Sequence, residues 1–236
     1  MIDQAFPSLD QQTTCWDKWD MESRTKDWLD RYMLTQLTAA ETYLPNGLTL
    51  EVGCGTGWMS AGLCTPKRPM MGIDLGPNAI AYAQRRYPQV TFLQGDFVAL
   101  PPVTTVENVV SADCLAHVGD QQAFMNRVAD WMRPGGTFVL LTQNGYIWSR
   151  SSNLPAMMPG QIRRWRTVEE LRGLLAKDFT VEYITAVAPG GDRGWLRLVN
   201  NRPAKALVRG IMGKRRRDRL YDHYLGKELV VVARRR

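Results

Sequence analysis

Leu48-Thr49-Leu50-Glu51-Val52-Gly53-Cys54-Gly55-Thr56-Gly57 is the stretch that decides how this chain is read. Its apolar residues, bounded by turn residues, predict a buried strand. Three glycines at alternate positions then let the backbone turn sharply and lie close to a ligand, because no Cβ intervenes. Trp58 to Cys64 follows with small and apolar residues suited to a helix. A strand, a glycine turn and a helix N-terminus make a ligand cradle at the carboxyl end of a parallel strand. The spacing excludes two common cradles. A dinucleotide fold needs G-x-G-x-x-G, and Trp58 stands where the third glycine would fall. A phosphate P-loop needs a Gly-Lys-Ser/Thr ending, which is absent. Glu51, two places before the first glycine, would repel a pyrophosphate and attract an ammonium group.

Two more strand ends follow the same logic. Pro69 to Asp74 predicts a second strand ending in an acid, seventeen residues beyond Gly57. A carboxylate there suits two ribose hydroxyls, because one carboxylate can accept two strong hydrogen bonds. Val90 to Phe97 predicts a third strand closing on Gly95-Asp96-Phe97. The glycine turn, Asp74 and Asp96 arrive on three successive strands, and this series resembles the class I S-adenosylmethionine-dependent methyltransferases. The resemblance covers about residues 47–142. It implies a Rossmann-like α/β fold with a seven-stranded, mostly parallel sheet, helices on both faces and an antiparallel last strand. It implies S-adenosylmethionine as cofactor and S-adenosylhomocysteine as product. It also implies a cofactor site of Glu51, Gly53, Cys54, Gly55, Gly57, Asp74, Leu75, Gly95, Asp96, Phe97 and Ala112, with Trp19 from the N-terminal segment.

Composition sets the limits. The 236 residues, 44% hydrophobic and 22% charged, suit one globular α/β domain rather than a disordered chain. No run of about eighteen apolar residues predicts a membrane span. The four cysteines, at 15, 54, 64 and 114, show neither paired-ligand spacing nor a disulfide framework. With no basic-then-apolar leader at the start, the expected setting is cytoplasmic. The net charge of +7 is uneven: fourteen Lys/Arg against four Asp/Glu from Pro189 onward give +10, and sixteen against nineteen before it give −3. A basic C-terminal piece suits nucleic acid, a membrane surface, an anionic substrate or simply solvent.

One domain, 1–236, is expected, in four parts. Residues 1–46 form an N-terminal helical cap, helical over 13–45, in which Trp16 and Trp19 lie over the cofactor and substrate. Residues 47–142 form the cofactor core, with a fourth strand over Thr105–Ala112 and a fifth over Thr137–Thr142. Residues 143–166 form a substrate loop carrying Tyr146, Trp148, Arg150, Arg163 and Arg164, since a connection this long usually serves function. Thr167-Val168-Glu169-Glu170 predicts a capping box. The last two strands, Phe179–Val187 and Lys227–Ala233, enclose a basic insertion over 188–226, with the run Lys214 to Arg219.

Asp113-Cys114-Leu115-Ala116-His117-Val118-Gly119-Asp120, after the fourth strand, is similar to a segment of small-molecule methyltransferases. It lacks the Asn/Asp-Pro-Pro-Tyr/Phe element of base and glutamine methylation. The resemblance therefore implies a small-molecule acceptor, expected to be a hydroxyl or other oxygen in a biosynthetic pathway. His117 is the candidate general base, which is typically worth roughly 10²–10⁴ in rate. Asp113 and Asp120 are alternatives, and no metal is expected. A small amine, which attacks without a strong base, and RNA, using the basic piece, are the other acceptors considered. The reading also admits a homodimer.

Overall fold

The computed structural model describes residues 6–23, 31–152, 154, 156–189, 193, 194, 196, 203, 206, 207, 210, 211 and 226–236. Helix α1 (Leu9–Ser23) begins at Ser8, whose hydroxyl accepts the Gln11 N–H while the Gln11 side chain accepts the Ser8 N–H. That reciprocal pair satisfies donors a first turn would otherwise leave orphaned. Helix α2 (Arg31–Tyr43) follows, and both helices fall within or overlap the stretch expected to be helical over 13–45. Trp28 lies outside the described residues.

Strands and helices then alternate: β1 (Thr49–Val52), α3 (Trp58–Leu63), β2 (Met70–Asp74), α4 (Pro77–Arg86), β3 (Thr91–Gln94) and β4 (Val106–Ala112). A 3-10 turn (Leu115–His117) leads to α5 (Gln121–Trp131), β5 (Met132–Gln143), the short α6 (Gly145–Trp148), α7 (Val168–Leu175), β6 (Phe179–Pro189) and β7 (Gly226–Arg235). The sheet order is β3-β2-β1-β4-β5-β7-β6. β1 to β5 pair in parallel, and β7 runs antiparallel to both neighbours. The sheet grows outward from β1 to β3 and then restarts at β4 on the other side of β1. A crevice opens at such a switch point, beyond the carboxyl ends of the strands, and the glycine turn stands there.

Strand alternation splits the core between the two faces of the sheet. Leu50, Val109, Phe138 and Leu140 join one cluster with Phe124, Trp131 and Leu171. Their neighbours Val110, Val139 and Leu141 join the other with Met59, Leu63 and Ile80. β5 is longer than expected. Its register passes from Val106↔Met132 to Asn108↔Thr137, so the Pro-Gly-Gly turn bulges out of the ladder. Gly135, at φ +78°, makes that bulge. The capping box opens α7 as expected, with Thr167 and Glu170 bonded reciprocally. The Lys214 to Arg219 run and His223 lie outside the described residues. Among the described residues, no helix is long and apolar enough to cross a membrane.

Candidate active site

The turn after β1 needs its glycines for both conformation and space. Gly53, Gly55 and Gly57 have φ of +77°, +50° and +78°, a region other residues rarely adopt. A Cβ on Gly53 would meet Cys114 Sγ at 2.8 Å, on Gly55 the Asp20 carboxylate at 2.8 Å, and on Gly57 the Phe92 ring at 2.5 Å. Asp74, at the end of β2, accepts the Gly55 N–H on one oxygen and the Gly76 N–H on the other, each at 2.9 Å. Burial pushes its carboxyl up while these backbone bonds hold it down. Each oxygen keeps acceptor capacity for a further donor. Asp96 accepts the Val98 N–H at 3.0 Å, and Phe97 packs edge-on against Phe124.

A cavity of about 920 Å³ begins here. Trp19, Gly53, Asp74, Leu75, Gly95, Asp96, Phe97 and Ala112 all line it. Gly55, Gly57 and Cys54 stand behind that wall, shaping the turn. Glu51 is not on the wall. It is 3% exposed and accepts a short bond from the Ser60 hydroxyl. Burial pushes its carboxyl up to about 8, against the Ser60 bonds. The carboxylate that does reach the cavity beside the glycine turn is Asp20 of α1.

The other end of the cavity is built on the tips of β4, β5 and β7. Asp113 has φ +57°, the one non-glycine in the left-handed region among the described residues. Such strain persists where neighbours over-determine it. Here the Tyr32 hydroxyl lies 2.9 Å from both Asp113 oxygens, and Gln36 and Gln143 each donate to Asp113 at 2.7 Å. Burial, with Asp113 and Glu228 close by, pushes the Tyr32 hydroxyl far above its usual range, so it stays a donor.

His117 Nδ1 lies 2.7 Å from the Ile162 carbonyl oxygen. A carbonyl only accepts, so Nδ1 carries the proton and Nε2 is left as the acceptor. The ring packs against Trp16, with centroids 4.2 Å apart. Burial pushes its pKa down to about 4; the Ile162 carbonyl opposes this and Arg163 adds to it. Trp16, Trp148, Trp165 and Arg163 line the same space, with the Arg163 guanidinium 5.4 Å from the centre of the Trp165 ring. Three residues expected at the substrate do not line it. Tyr146 and Arg150 stack on each other at 3.9 Å outside the cavity, and Arg164 is engaged by the Gly119 carbonyl. Asp120 lines the rim and caps α5, accepting the Ala123 N–H at 2.9 Å.

Residues 49–136 match the family model described as a methyltransferase domain. A probable S-adenosylmethionine-dependent methyltransferase of Mycolicibacterium smegmatis is 30% identical over 142 residues, 60% of this chain and 55% of the relative. The chain thus spans about half the length of that curated relative. A fatty-acid O-methyltransferase of the same organism is 30% identical over 183 residues, 72% of this chain and 66% of its own. The fold is shared with the DhpI–SAH complex, at a TM-score of 0.63 and 19% identity over 96% of both chains. Residues 49–136 are a methyltransferase domain of the S-adenosylmethionine-dependent kind.

The cradle fits the cofactor of this family. Its glycines let the turn close against Cys114, Asp20 and Phe92, where a Cβ would collide, and Asp20, Asp74 and Asp96 line the cavity beside it with acceptors for hydroxyl and amine donors. Five residues on or just behind this cavity wall carry no expectation from the sequence: Asp20, Tyr32, Gln143 and Glu228 line it, and Gln36 reaches it through Asp113. Glu228 carried a signal, as a charge opening the otherwise apolar run Leu229 to Ala233. Asp20, Tyr32 and Gln36 carried none, because polar residues on a helix normally face solvent.

Proposed function

We propose that the protein transfers the methyl group of S-adenosylmethionine to a small-molecule acceptor in a biosynthetic route. The observation that carries this reading is one cavity lined both by the cradle residues and by Asp113, His117 and Trp148. S-adenosylmethionine, when bound, supplies a methyl group already activated on a sulfonium. The chain's own residues then bind, align and exclude water, which can account for most of the acceleration in such a transfer. Asp74 would hold the ribose, Asp96 and Phe97 the adenine, and Asp20 the ammonium end. Trp16 and Trp19 close the cavity from α1.

For a hydroxyl acceptor, His117 Nε2 offers a hydrogen-bond partner facing the acceptor side. With its pKa near 4, the imidazole orients the O–H better than it removes the proton, because an effective base titrates near the working pH. A nitrogen acceptor is favoured by a different observation, the two carboxylates Asp113 and Glu228 on the cavity wall. Calorimetry with S-adenosylhomocysteine, followed by incubation of methyl-labelled cofactor with pools of small alcohols, phenols and amines, tests the reading. Saturable cofactor binding with label transfer to a pool is the expected result, and no cofactor binding would overturn it.

A further inference from the structure

Glu228 is 2% exposed yet lines the cavity, and its Oε2 has no hydrogen-bond partner among the described residues. Its register partner on β5 is Gln143. The amide nitrogen of Gln143 is committed to Asp113 Oδ1, and its buried Oε1 is likewise without a partner. A buried polar atom left unpaired costs about 1–3 kcal/mol. Asp113 stands beside this pair, already receiving Tyr32 and Gln36. Two buried oxygens without a partner, one of them on a carboxyl that lines the cavity beside a second carboxylate, fit a ligand group that brings donors and a positive charge. A hydroxyl brings one donor and no charge. A carboxylate or phosphate brings acceptors only and is repelled.

We propose that Glu228, Gln143 and Asp113 form a subsite for a protonated amine on the acceptor, with the Glu228 carboxylate as its counter-charge on the cavity wall. This rests on the methyltransferase reading above and gives its acceptor a chemical class. The groups that face Glu228 are Tyr32 from α2, Asp113 beyond β4, Trp148 of α6 and Lys227 of its own strand. Burial and the Asp113 charge push the Glu228 carboxyl up to about 9, while Tyr32, Trp148 and Lys227 pull it down. The Lys227 ammonium lies over the Trp148 ring, 5.1 Å from its centre. Near pH 7.5, with no cation bound, Glu228 therefore carries a proton and its carboxyl is a donor as well as an acceptor. An arriving ammonium displaces that proton: the Glu228 O–H bond breaks, the carboxylate pairs with the cation, and the proton passes to the buffer.

Phenethylamine, 2-phenylethanol and 3-phenylpropanoate are suitable probes, titrated calorimetrically with and without S-adenosylhomocysteine in buffers of different ionisation enthalpy. The amine is expected to bind about tenfold or more tightly than the alcohol, with proton release. Glu228→Gln is expected to remove both the preference and the release while S-adenosylhomocysteine affinity persists. Equal or tighter binding of the alcohol or the acid, no amine binding, or an unchanged preference in Glu228→Gln overturns the proposal. A variant-free measurement stands beside these. In the wild type, amine affinity should rise between pH 7 and 9 while alcohol affinity stays flat, and a flat amine profile overturns the proposal. Failure of S-adenosylhomocysteine to bind would overturn the methyltransferase reading alone, since the amine titration without it still decides the subsite.

Discussion

The carboxylate of Asp17 on α1 accepts the backbone N–H groups of Asn78 and Ala79, both at 2.9 Å, and the Asn78 side-chain amide at 2.7 Å. A residue sixty positions away thus caps α4, whose own N-cap residue, Gly76, has no side chain to do so. An anion at that end also meets the positive pole of the helix. The same bonds dock α1 over the cofactor crevice and bring Asp20, one turn further on, beside Gly55. Asp17→Ala is expected to cost about 1–2 kcal/mol, read as a melting temperature lower by about 2–8 °C. Calorimetry should show weaker S-adenosylhomocysteine binding, and Asp17→Asn, which keeps an acceptor, should retain most of both. Unchanged affinity in Asp17→Ala would show that α1 does not close the site.

Gly55→Ala tests the cradle itself. The left-handed backbone alone costs an ordinary residue about 1–2 kcal/mol, and the added methyl would meet the Asp20 carboxylate at 2.8 Å. S-adenosylhomocysteine affinity should fall at least about tenfold, and Asp74→Ala should abolish it. Wild-type affinity in either variant would displace the cofactor from this turn.

His117 is expected to stay neutral across the working range, because its pKa is pushed down to about 4. Carbon-proton NMR of its imidazole should show no titration between pH 5.5 and 8, and turnover should have no inflection near 6.5. A midpoint near 6.5 would mean the ring is not held against Ile162 and Trp16 in solution. His117→Asn should bind cofactor normally and lose turnover through poorer acceptor alignment.

Glu51 gives stability a pH dependence of definite sign. Its folded pKa, about 8, lies above the ordinary 4.5. Between those values the folded chain keeps a proton that the unfolded chain has lost. Stability from this group is therefore present below pH 4.5 and declines as pH rises toward 8. Denaturation measured across that window should show a shallower decline in Glu51→Gln, which needs no proton to remain neutral. An identical slope would place Glu51 in contact with water.

Much of the fold can be read along the chain because its signals are local. Gly53, Gly55 and Gly57 are needed wherever backbone must adopt φ near +50° to +78°. Alternating residues such as Phe138 and Val139 sort themselves to opposite faces by the period of a strand. Asp74 and Asp96 end adjacent parallel strands, so their order in the chain is also their order in space. The capping box at Thr167 is four residues long and was equally visible.

The sequence by itself determined the sheet, the glycine turn and the acids at the strand ends. Only the tertiary structure decided which carboxylates face the cavity. Glu51 and Asp20 are both acids within reach of the turn, yet Glu51 points into the core at Ser60 and Asp20 comes over from α1. Glu228 meets Asp113 and Gln143 only because the antiparallel β7 begins at the edge where β4 and β5 end. A side chain's exposure, its neighbours and hence its charge state arise from packing between distant segments, and no local pattern in the chain encodes which wall a carboxylate will reach.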